Sequence, residues 1–497
     1  MNIVWFKKDL RVLDQPALAK ASNTGPCLGV YVFEDQLWQQ SDMSWRHYYF
    51  LSGALKNLHQ NLQKLGIHLL IRKGEICQVF DQLQVQFGKV NIYSSEETGN
   101  DWTFKRDIGL KKHCKQQGIL WEELPQNGVV RALKNRDGWA KQWAITMTKP
   151  IEKASAQTIQ SNLAEPFILP TAHDLALQEQ NTYDFQQGGE DYAHNVLQDF
   201  LTARGRFYSK EMSSPVTAFD SCSRLSTYLS FGCISMRYVY QTLRHKKDAL
   251  KELPFSEKRG WASSLQACLG RLRWHCHFIQ KLEDEPSMQF KALHSAYRQL
   301  DDHENYDPAF FDAWKNAQTG FPFVDACMKA LQHTGWLNFR MRAMLVSVAC
   351  QHLNIPWPKV AGYLAGQFTD YEPGIHYSQC QMQAGVTGMN AIRIYNPIKQ
   401  GYDQDPTGVF VKKWIPQLAA FPEEHIHEPW LFQWDYPQPL VDEKIARKSA
   451  ADRLYKIRKN AANKDETKQL LHKHGSRRKL KKIKTKPRDQ AVQGELF

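Results

Sequence analysis

The strongest constraint on the fold is a change of hydrophobic pattern after the first 130 residues. Before it, short β-branched and aromatic runs alternate with longer segments in which apolar residues recur every three or four positions, as in Leu51, Leu55, Leu58, Leu62 and Leu65. Such runs are typical of buried strands, and such periodicity is typical of amphipathic helices. Their alternation predicts a doubly wound parallel sheet. Strands are expected at 2–6, 28–33, 68–72, 90–94 and 119–122, with helices at 46–65, 75–87 and 102–117.

The later part of the chain predicts a second, helical domain. A stretch with little periodicity contains Glu165-Pro166, Leu169-Pro170 and Gly188-Gly189, which are signals of turns and loops. From residue 191 to about residue 440 nearly every apolar pattern is helical. The expected fold class is α/β plus all-α. We predict an α/β domain at 1–135, a connector at 136–190, a helical domain at 191–440 and a tail at 441–497.

The net charge of +13 lies entirely in the part of this tail that begins at Lys444. From Lys444 to Phe497 there are 18 Lys or Arg against 5 Asp or Glu, whereas the preceding residues carry 46 of each sign. A lysine-rich end either binds nucleic acid through its phosphates or remains solvated without a dedicated partner. We expect DNA as the partner, one helix at 444–460, and disorder from Arg477 onward.

Composition also bears on the compartment. No run approaches the length of a membrane span, and no charged-then-apolar leader precedes Ile3, so neither membrane insertion nor secretion is expected. The ten cysteines are scattered through apolar runs without a Cys-x-x-Cys pair, as is typical of buried thiols in a reducing compartment. We expect a cytoplasmic protein without a metal centre, and we take it to be a monomer.

Ser223-Arg224-Leu225-Ser226-Thr227 is the first of three polar clusters in the helical part. It precedes an apolar run and so stands where a helix should begin. Hydroxyls and free N–H groups at a helix start either cap the helix or bind phosphate. Both interpretations remain open from this pentapeptide alone.

The second and third clusters surround charged residues. In a helix Asn338 and Arg342 would share one face. That face would be either a solvated polar stripe or the wall of an interior cavity, and the apolar residues on both sides of the cluster favour the cavity. Asp370 lies in a loop with Glu372 and His376. Its plain structural interpretation is a salt bridge to Arg342 or to neighbouring Arg340.

These clusters belong to a set of motifs that share one order along the chain. The set comprises Val4-Trp5-Phe6-Lys7-Lys8-Asp9-Leu10-Arg11, Ser223-Arg224-Leu225-Ser226, Thr319-Gly320-Phe321-Pro322, Gly335-Trp336 and Arg393-Ile394-Tyr395-Asn396-Pro397. In this order and spacing the motifs resemble those of the cryptochrome/DNA photolyase family. The resemblance implies FAD in the helical domain and a second antenna chromophore, of unknown identity, in the α/β domain.

The resemblance also assigns site residues. Those implied around FAD are Tyr208, Ser223, Arg224, Leu225, Ser226, His275, Asn338, Arg342, Asp370, Glu372 and His376. The loop that contains Ser223, Leu225 and Ser226, which we call the hydroxyl loop, would hold the pyrophosphate. Arg342 and Asp370 would pair beside the isoalloxazine, and His376 would face its N5. The implied catalytic residues are Trp274, Arg271, Trp357 and His376.

The chain departs from the family in its lesion pocket. Relatives that repair pyrimidine dimers carry Glu-x-x-Trp-Arg where residues 271–275 are Arg-Leu-Arg-Trp-His. Trp274 is kept for stacking on a flipped base, but Arg271 replaces the glutamate that bonds the dimer, and Met382 replaces the second aromatic. Ala343 stands where (6-4) photolyases carry a catalytic histidine. These departures put standard dimer repair in question.

The route of flavin reduction also differs. Relatives use three tryptophans, of which Trp357 alone remains, while Cys380 occupies the flavin-proximal place. We hypothesise another aromatic route through Tyr371, Tyr377 or Trp336, or chemical reduction in the dark.

Three functions are compatible with these features. The first is a light-driven DNA photolyase, a carbon–carbon lyase that repairs UV-induced pyrimidine lesions by electron transfer from reduced flavin. The second is a cryptochrome-type blue-light photoreceptor that acts through a signalling partner. The third is a light-independent flavoprotein on the same fold. We expect the first.

Overall fold

A five-stranded parallel sheet of order β3-β2-β1-β4-β5 forms the N-terminal part of the protein. The structure is a computed structural model that describes residues 1–157, 165–180, 184–302, 304–460 and 464–476. Every position of the two central strands, β1 and β2, is buried, because helices cover both faces of the sheet. The predicted strands are confirmed, with ends shifted by no more than two residues. The strands are β1 (Asn2–Phe6), β2 (Cys27–Phe33), β3 (Leu69–Lys73), β4 (Asn91–Ser95) and β5 (Leu120–Leu124).

The helices of this part follow the predicted stripes. Leu51, Leu55, Leu58 and Leu62 are buried on one face of α3, as their spacing predicted. The predicted helices at 46–65, 75–87 and 102–117 are confirmed as α3, α4 and α5, with ends shifted by one residue. The helices are α1 (Pro16–Thr24), α2 (Asp35–Trp38), α3 (Trp45–Lys64), α4 (Ile76–Phe87) and α5 (Asp101–Gln117).

The rest of the described chain is helical, which confirms the predicted fold class, while the domain boundaries stay predictions. The α-helices are α6 (Trp139–Met147), α7 (Glu190–Thr202), α8 (Tyr208–Glu211), α9 (Pro215–Ser221), α10 (Ser226–Ser230), α11 (Met236–Ala249), α12 (Phe255–Lys258), α13 (Trp261–Asp284), α14 (Pro308–Lys315), α15 (Pro322–Thr334), α16 (Phe339–Ser347), α17 (Trp357–Gln367), α18 (Pro373–Ala384), α19 (Pro397–Gln404), α20 (Val409–Trp414), α21 (Glu443–Lys459) and α22 (Lys464–His474). Short 3₁₀ turns, and one π-helical turn at Val348–His352, join several of them.

One hydrophobic core joins the sheet to the first helices of the helical part. The ring of Phe50 in α3 lies 5.3 Å from Tyr228 and 4.8 Å from Phe231, both at the end of α10. A second core fills the region of α15 to α18, and a third lies on the other face of the sheet. Because the first core crosses between the two parts, it positions α10 against the sheet.

The tail packs back onto the helical part. The predicted helix at 444–460 is confirmed as α21, but the prediction of a single tail helix is wrong, because α22 follows it. The α22 helix is held by tertiary contacts: Glu466 accepts from the Ser295 backbone N–H at 2.8 Å, and Lys473 pairs with Glu285 at 2.5 Å. The predicted disorder from Arg477 onward lies outside the described residues. Among the described helices, none has the length and apolarity needed to cross a bilayer.

Candidate functional site

The loop between α9 and α10 holds a stacked arginine. Arg224 has φ 57°, and its guanidinium lies 4.4 Å from the ring centre of Phe219 and 4.2 Å from that of Trp336. Burial lowers the pKa of Arg224 to about 10, whereas the Asp370 carboxylate favours the charged form. Stacking between two aromatic faces stabilises a cation with few hydrogen-bond partners. The sandwich was not foreseen, because Phe219 and Trp336 are far apart in the sequence.

The hydroxyls of this loop do not cap α10. The N-cap residue is Leu225, which is buried and provides no side-chain cap. Ser223 Oγ accepts from the Leu225 N–H only at 3.5 Å, and the Ser226 hydroxyl bonds Asp370. The plain capping interpretation is therefore wrong.

Arg342 and Asp370 form a two-pronged ion pair. Arg342 Nη1–H and Nη2–H donate to the two carboxylate oxygens at 2.9 and 2.8 Å. Burial acts most strongly, to raise the pKa of Asp370, but the Arg342 guanidinium, together with the Ser226 hydroxyl and the Arg224 charge, outweighs it, and the pKa falls below its usual value. Of the two partners considered for Asp370, Arg342 is the one the structure shows.

Asn338 lies at the start of α16 rather than within it. As the N-cap residue, it donates from Nδ2 to the carbonyls of Met212 at 3.2 Å and Ser213 at 2.7 Å. Its Oδ1 is buried and has no hydrogen-bond partner among the described residues. The prediction that Asn338 and Arg342 share a helix face is wrong in detail, because only Arg342 is inside the helix.

The α13 helix provides a further wall. Trp274 stacks on Phe278 with ring centres 5.6 Å apart and an interplanar angle of 25°, and it meets His277 edge-on at 5.0 Å. Arg271 Nη2 lies 3.7 Å from Met212 Sδ and beside the Tyr208 phenol, whose pKa burial raises. The predicted lesion residues Arg271 and Trp274 therefore lie on the same helix, α13, as His275.

Positive charge concentrates around Cys222. Burial raises the pKa of the Cys222 thiol to about 12, although the charges of four arginines each act to lower it, and these are Arg224, Arg204, Arg271 and Arg342. Arg204 also donates to the Cys222 carbonyl at 2.5 Å. The sequence analysis missed Arg204, because nothing in its local pattern distinguishes it from a surface arginine.

Glu372 and His376 are buried, and the prediction that both lie in a loop is wrong for His376, which lies in the first turn of α18. Burial lowers the pKa of His376 to about 4, and its Nε2–H donates to the Ala361 carbonyl at 2.8 Å. Glu372 pairs with Lys8 at 3.7 Å, and burial raises its pKa. Trp357 lines a separate cleft of about 260 Å³. Its Nε1–H donates to Asp301 at 2.7 Å.

A second, larger cleft lies at the carboxyl ends of the central strands. It encloses about 810 Å³, counting its open mouth. Ligands of parallel sheets bind at this edge, where the strand order reverses. Its lining includes Lys8, Tyr31, Glu34, Trp38, His47, Asn100, Arg106, Phe231 and Tyr371. The sequence analysis named no residue for this cleft, and the only local signal was Lys7-Lys8 directly after β1.

The helical site fits a dinucleotide such as FAD. Four buried polar atoms of the sequence-predicted residues have no partner within the described ranges: Arg224 Nε, His275 Nδ1, Asn338 Oδ1 and Glu372 Oε1. Burial lowers the pKa of His275 to about 4, so this imidazole is neutral at pH 7. Unsatisfied buried polar atoms are costly, and the excess of arginines suits a pyrophosphate. The donor set therefore matches a ligand with an anionic and a neutral polar part.

Comparisons with known proteins agree with this site. A sequence model of the FAD binding domain of DNA photolyase matches residues 268–456, and a DNA photolyase model matches residues 2–164. A deoxyribodipyrimidine photo-lyase of Vibrio cholerae is 26% identical, over 92% of this chain and 100% of its own length. A cryptochrome DASH of Synechocystis is 27% identical, over 88% of this chain and 95% of its own.

Solved structures show the same fold. The Synechocystis cryptochrome superposes with a TM-score of 0.79 at 24% identity, covering 91% of this chain and 98% of its own. A photolyase from Sulfolobus tokodaii with two FAD molecules superposes with a TM-score of 0.76 at 22% identity, covering 92% and 100%. Taken with the matches along both parts of the sequence, these findings show that the chain belongs to the cryptochrome/DNA photolyase family and that its helical part is the family's FAD-binding domain.

Proposed function

We propose that the protein is an FAD-dependent photolyase that repairs UV-induced pyrimidine lesions in DNA, as a cytoplasmic monomer. One observation carries the proposal: the arginine cluster around Cys222 includes Arg271, which lies three residues before the aromatic face of Trp274 on α13. An anionic cofactor and a flipped base would therefore be held side by side. Bound FAD supplies light-driven one-electron chemistry.

The chain's own residues would hold the cofactor through charge and hydrogen bonds. Ser223 and Ser226 lie on either side of Arg224 along the chain, so their hydroxyls and the Arg224 guanidinium would meet the pyrophosphate. Asn338 Oδ1, which has no partner in the described part of the chain, would accept a hydrogen bond from the ligand. Neutral His376 and the Arg342–Asp370 pair would surround the ring system.

The same helix would receive the substrate. Trp274 presents an aromatic face on which a flipped base would stack, which is typically worth about 1–3 kcal/mol per base. Arg271 would pair with a phosphate or a base carbonyl where relatives use a carboxylate, so the lesion preference is expected to differ from theirs. The basic residues beyond 460 would add contacts to the DNA backbone.

The test is restoration of damaged oligonucleotides under blue light. Protein carrying reduced FAD is mixed with single- and double-stranded substrates that contain either a cyclobutane dimer or a (6-4) product. We expect restoration of at least one lesion, with the dark sample and Trp274→Ala as controls. Failure to restore either lesion by protein that binds and photoreduces FAD would contradict the proposal.

A second candidate is a blue-light photoreceptor, which the docking of α22 favours. This helix contacts the helical part through the Lys473–Glu285 and Glu466–Ser295 bonds, so a change in the flavin domain could release it to a signalling partner. Light-dependent protease sensitivity of the tail, without restored bases, would select this function.

The cleft at the sheet edge is the proposed site of a second chromophore. Aromatic walls from Trp38 and Phe231 would suit a planar ring system, whereas the Arg106 guanidinium is already paired with Glu34 and Glu97. The absorption spectrum of the purified protein is the direct test. Bands beyond those of FAD that disappear in Trp38→Ala would support the assignment, and a spectrum of FAD alone after reconstitution with cell extract would oppose it.

A further inference from the structure

A buried tyrosine is hydrogen-bonded to a buried carboxylate between the two parts of the protein. The Tyr371 hydroxyl donates to Asp42 Oδ2 at 2.6 Å. Tyr371 is 6% exposed and Asp42 is 4% exposed. Asp42 lies in the loop before α3, and Tyr371 lies just before α18. A bond of this length places a proton acceptor within direct reach of the phenolic proton.

The surroundings leave Asp42 able to accept that proton. Asn100 Nδ2 donates to the same oxygen, Oδ2, at 2.9 Å. The other oxygen, Oδ1, is buried and accepts no hydrogen bond from any described residue. The Tyr377 hydroxyl lies 3.4 Å from that of Tyr371. Of the two carboxylate oxygens of Asp42, Oδ1 thus has no hydrogen-bond partner among the described residues, and Oδ2 already accepts from the phenol of Tyr371.

Tyr371 also lies beside both candidate ligand sites. It directly follows Asp370, which pairs with Arg342, and its ring centre is 5.2 Å from that of His376. It lines the cleft at the sheet edge as well. A ring bound near His376 would meet two phenols, Tyr371 and Tyr377, whose ring centres lie 5.2 and 5.4 Å from that of His376. Of these two, Tyr371 is the one whose hydroxyl donates to Asp42, so it can lose an electron while that carboxylate takes the proton.

The alternatives are less suited to this role. Trp336 lies 4.2 Å from the Arg224 guanidinium, and a neighbouring positive charge disfavours removing an electron from a ring. Trp357 donates to Asp301 at 2.7 Å but beside the separate small cleft. A phenol with an adjacent carboxylate can lose its electron and proton together and remain neutral.

We propose that Tyr371 is the one-electron donor to the light-excited flavin and that Asp42 accepts its proton. This inference rests on the proposed function. The phenolic O–H bond breaks, a carboxylic O–H bond forms on Asp42, and one electron leaves the ring for the oxidised flavin. A soluble thiol then returns one electron to the neutral tyrosyl radical, and Asp42 returns the proton.

The experiment uses the FAD-bound protein, illuminated without thiol and frozen for electron paramagnetic resonance. We expect a tyrosyl signal that narrows when the protein contains ring-deuterated tyrosine. Tyr371→Phe should abolish it and slow flavin photoreduction at least tenfold. The matched control is Tyr363→Phe, which removes a half-buried phenol that donates to the Lys315 carbonyl rather than to a carboxylate, and it should leave signal and rate unchanged.

Asp42→Asn separates the proton from the electron. The amide oxygen keeps a hydrogen bond to the phenol but cannot take its proton, so photoreduction should slow and lose its dependence on deuterated solvent. A wild-type signal and rate in Tyr371→Phe, or a wild-type solvent isotope effect in Asp42→Asn, would overturn the inference. Protein that binds no FAD would instead refute the proposed function, so the two failures are distinguishable.

Discussion

Replacing Asp370 with Asn tests the electrostatics of the candidate site. Asp370 accepts two bonds from Arg342, at 2.9 and 2.8 Å, and its side chain is 3% exposed against 23% for Arg342. Asn keeps the shape but leaves the guanidinium without its counter-charge, in a region that also holds Arg224. Breaking a fully buried pair in this way costs about 3–5 kcal/mol, and the partial exposure of Arg342 reduces this to about 2–3 kcal/mol.

The assay is thermal unfolding of FAD-free protein, so that lost cofactor does not contribute. We expect Asp370→Asn to lower the midpoint by about 2–3 °C at pH 7, because a chain of 497 residues has a large unfolding entropy. The matched control is Asp403→Asn, which breaks the exposed pair between Asp403 and Lys399 and should cost less than about 0.5 kcal/mol. A midpoint within about 1 °C of wild type, or a loss equal to that of the control, would refute the reasoning.

The pKa of Asp370 predicts how the stability difference between wild type and Asp370→Asn changes with pH. The folded-state pKa of Asp370 lies below its unfolded value. The stability that the ion pair contributes is therefore complete above the unfolded pKa and is lost as the pH falls through the folded one. The difference between wild type and Asp370→Asn should be full at neutral pH and shrink below about pH 4. A constant difference down to acid pH would assign the effect to packing instead.

Three further perturbations test other parts of the account. Trp274→Ala should weaken binding to lesion-containing DNA by about ten- to a hundredfold in fluorescence anisotropy while FAD content stays unchanged, and equal affinity would remove Trp274 from the substrate site. Truncation after Asn460 should lower duplex affinity at low salt and make its salt dependence shallower, and an unchanged slope would contradict a DNA role for the tail. Gly188→Ala should destabilise the protein by about 1–3 kcal/mol in thermal unfolding, because its Cβ would overlap the Phe50 carbonyl. Gly109→Ala, a helical position with open space around it, should instead be neutral or stabilising.

Motifs that lie in one continuous segment were the part of the site that the sequence revealed. The sequence picked out residues 223–226 and 370–376 as polar clusters in apolar surroundings, although the structure places His376 in the first turn of α18 rather than in a loop. The sequence left open whether Arg340 or Arg342 pairs with Asp370, because the order of residues alone does not show in which direction each side chain points. Whether these residues bind FAD as proposed stays a prediction.

The strand and helix order, and the family resemblance, were determined by the sequence itself, because hydrophobic period and motif order are local properties of the chain. The tertiary structure alone decided which distant groups meet. The α22 helix is held by contacts with Ser295 and Glu285. The weak hydrophobic periodicity of its own sequence does not predict these contacts. Tyr371 and Asp42, 329 residues apart, share a hydrogen bond only because one hydrophobic core holds the helical part against the sheet.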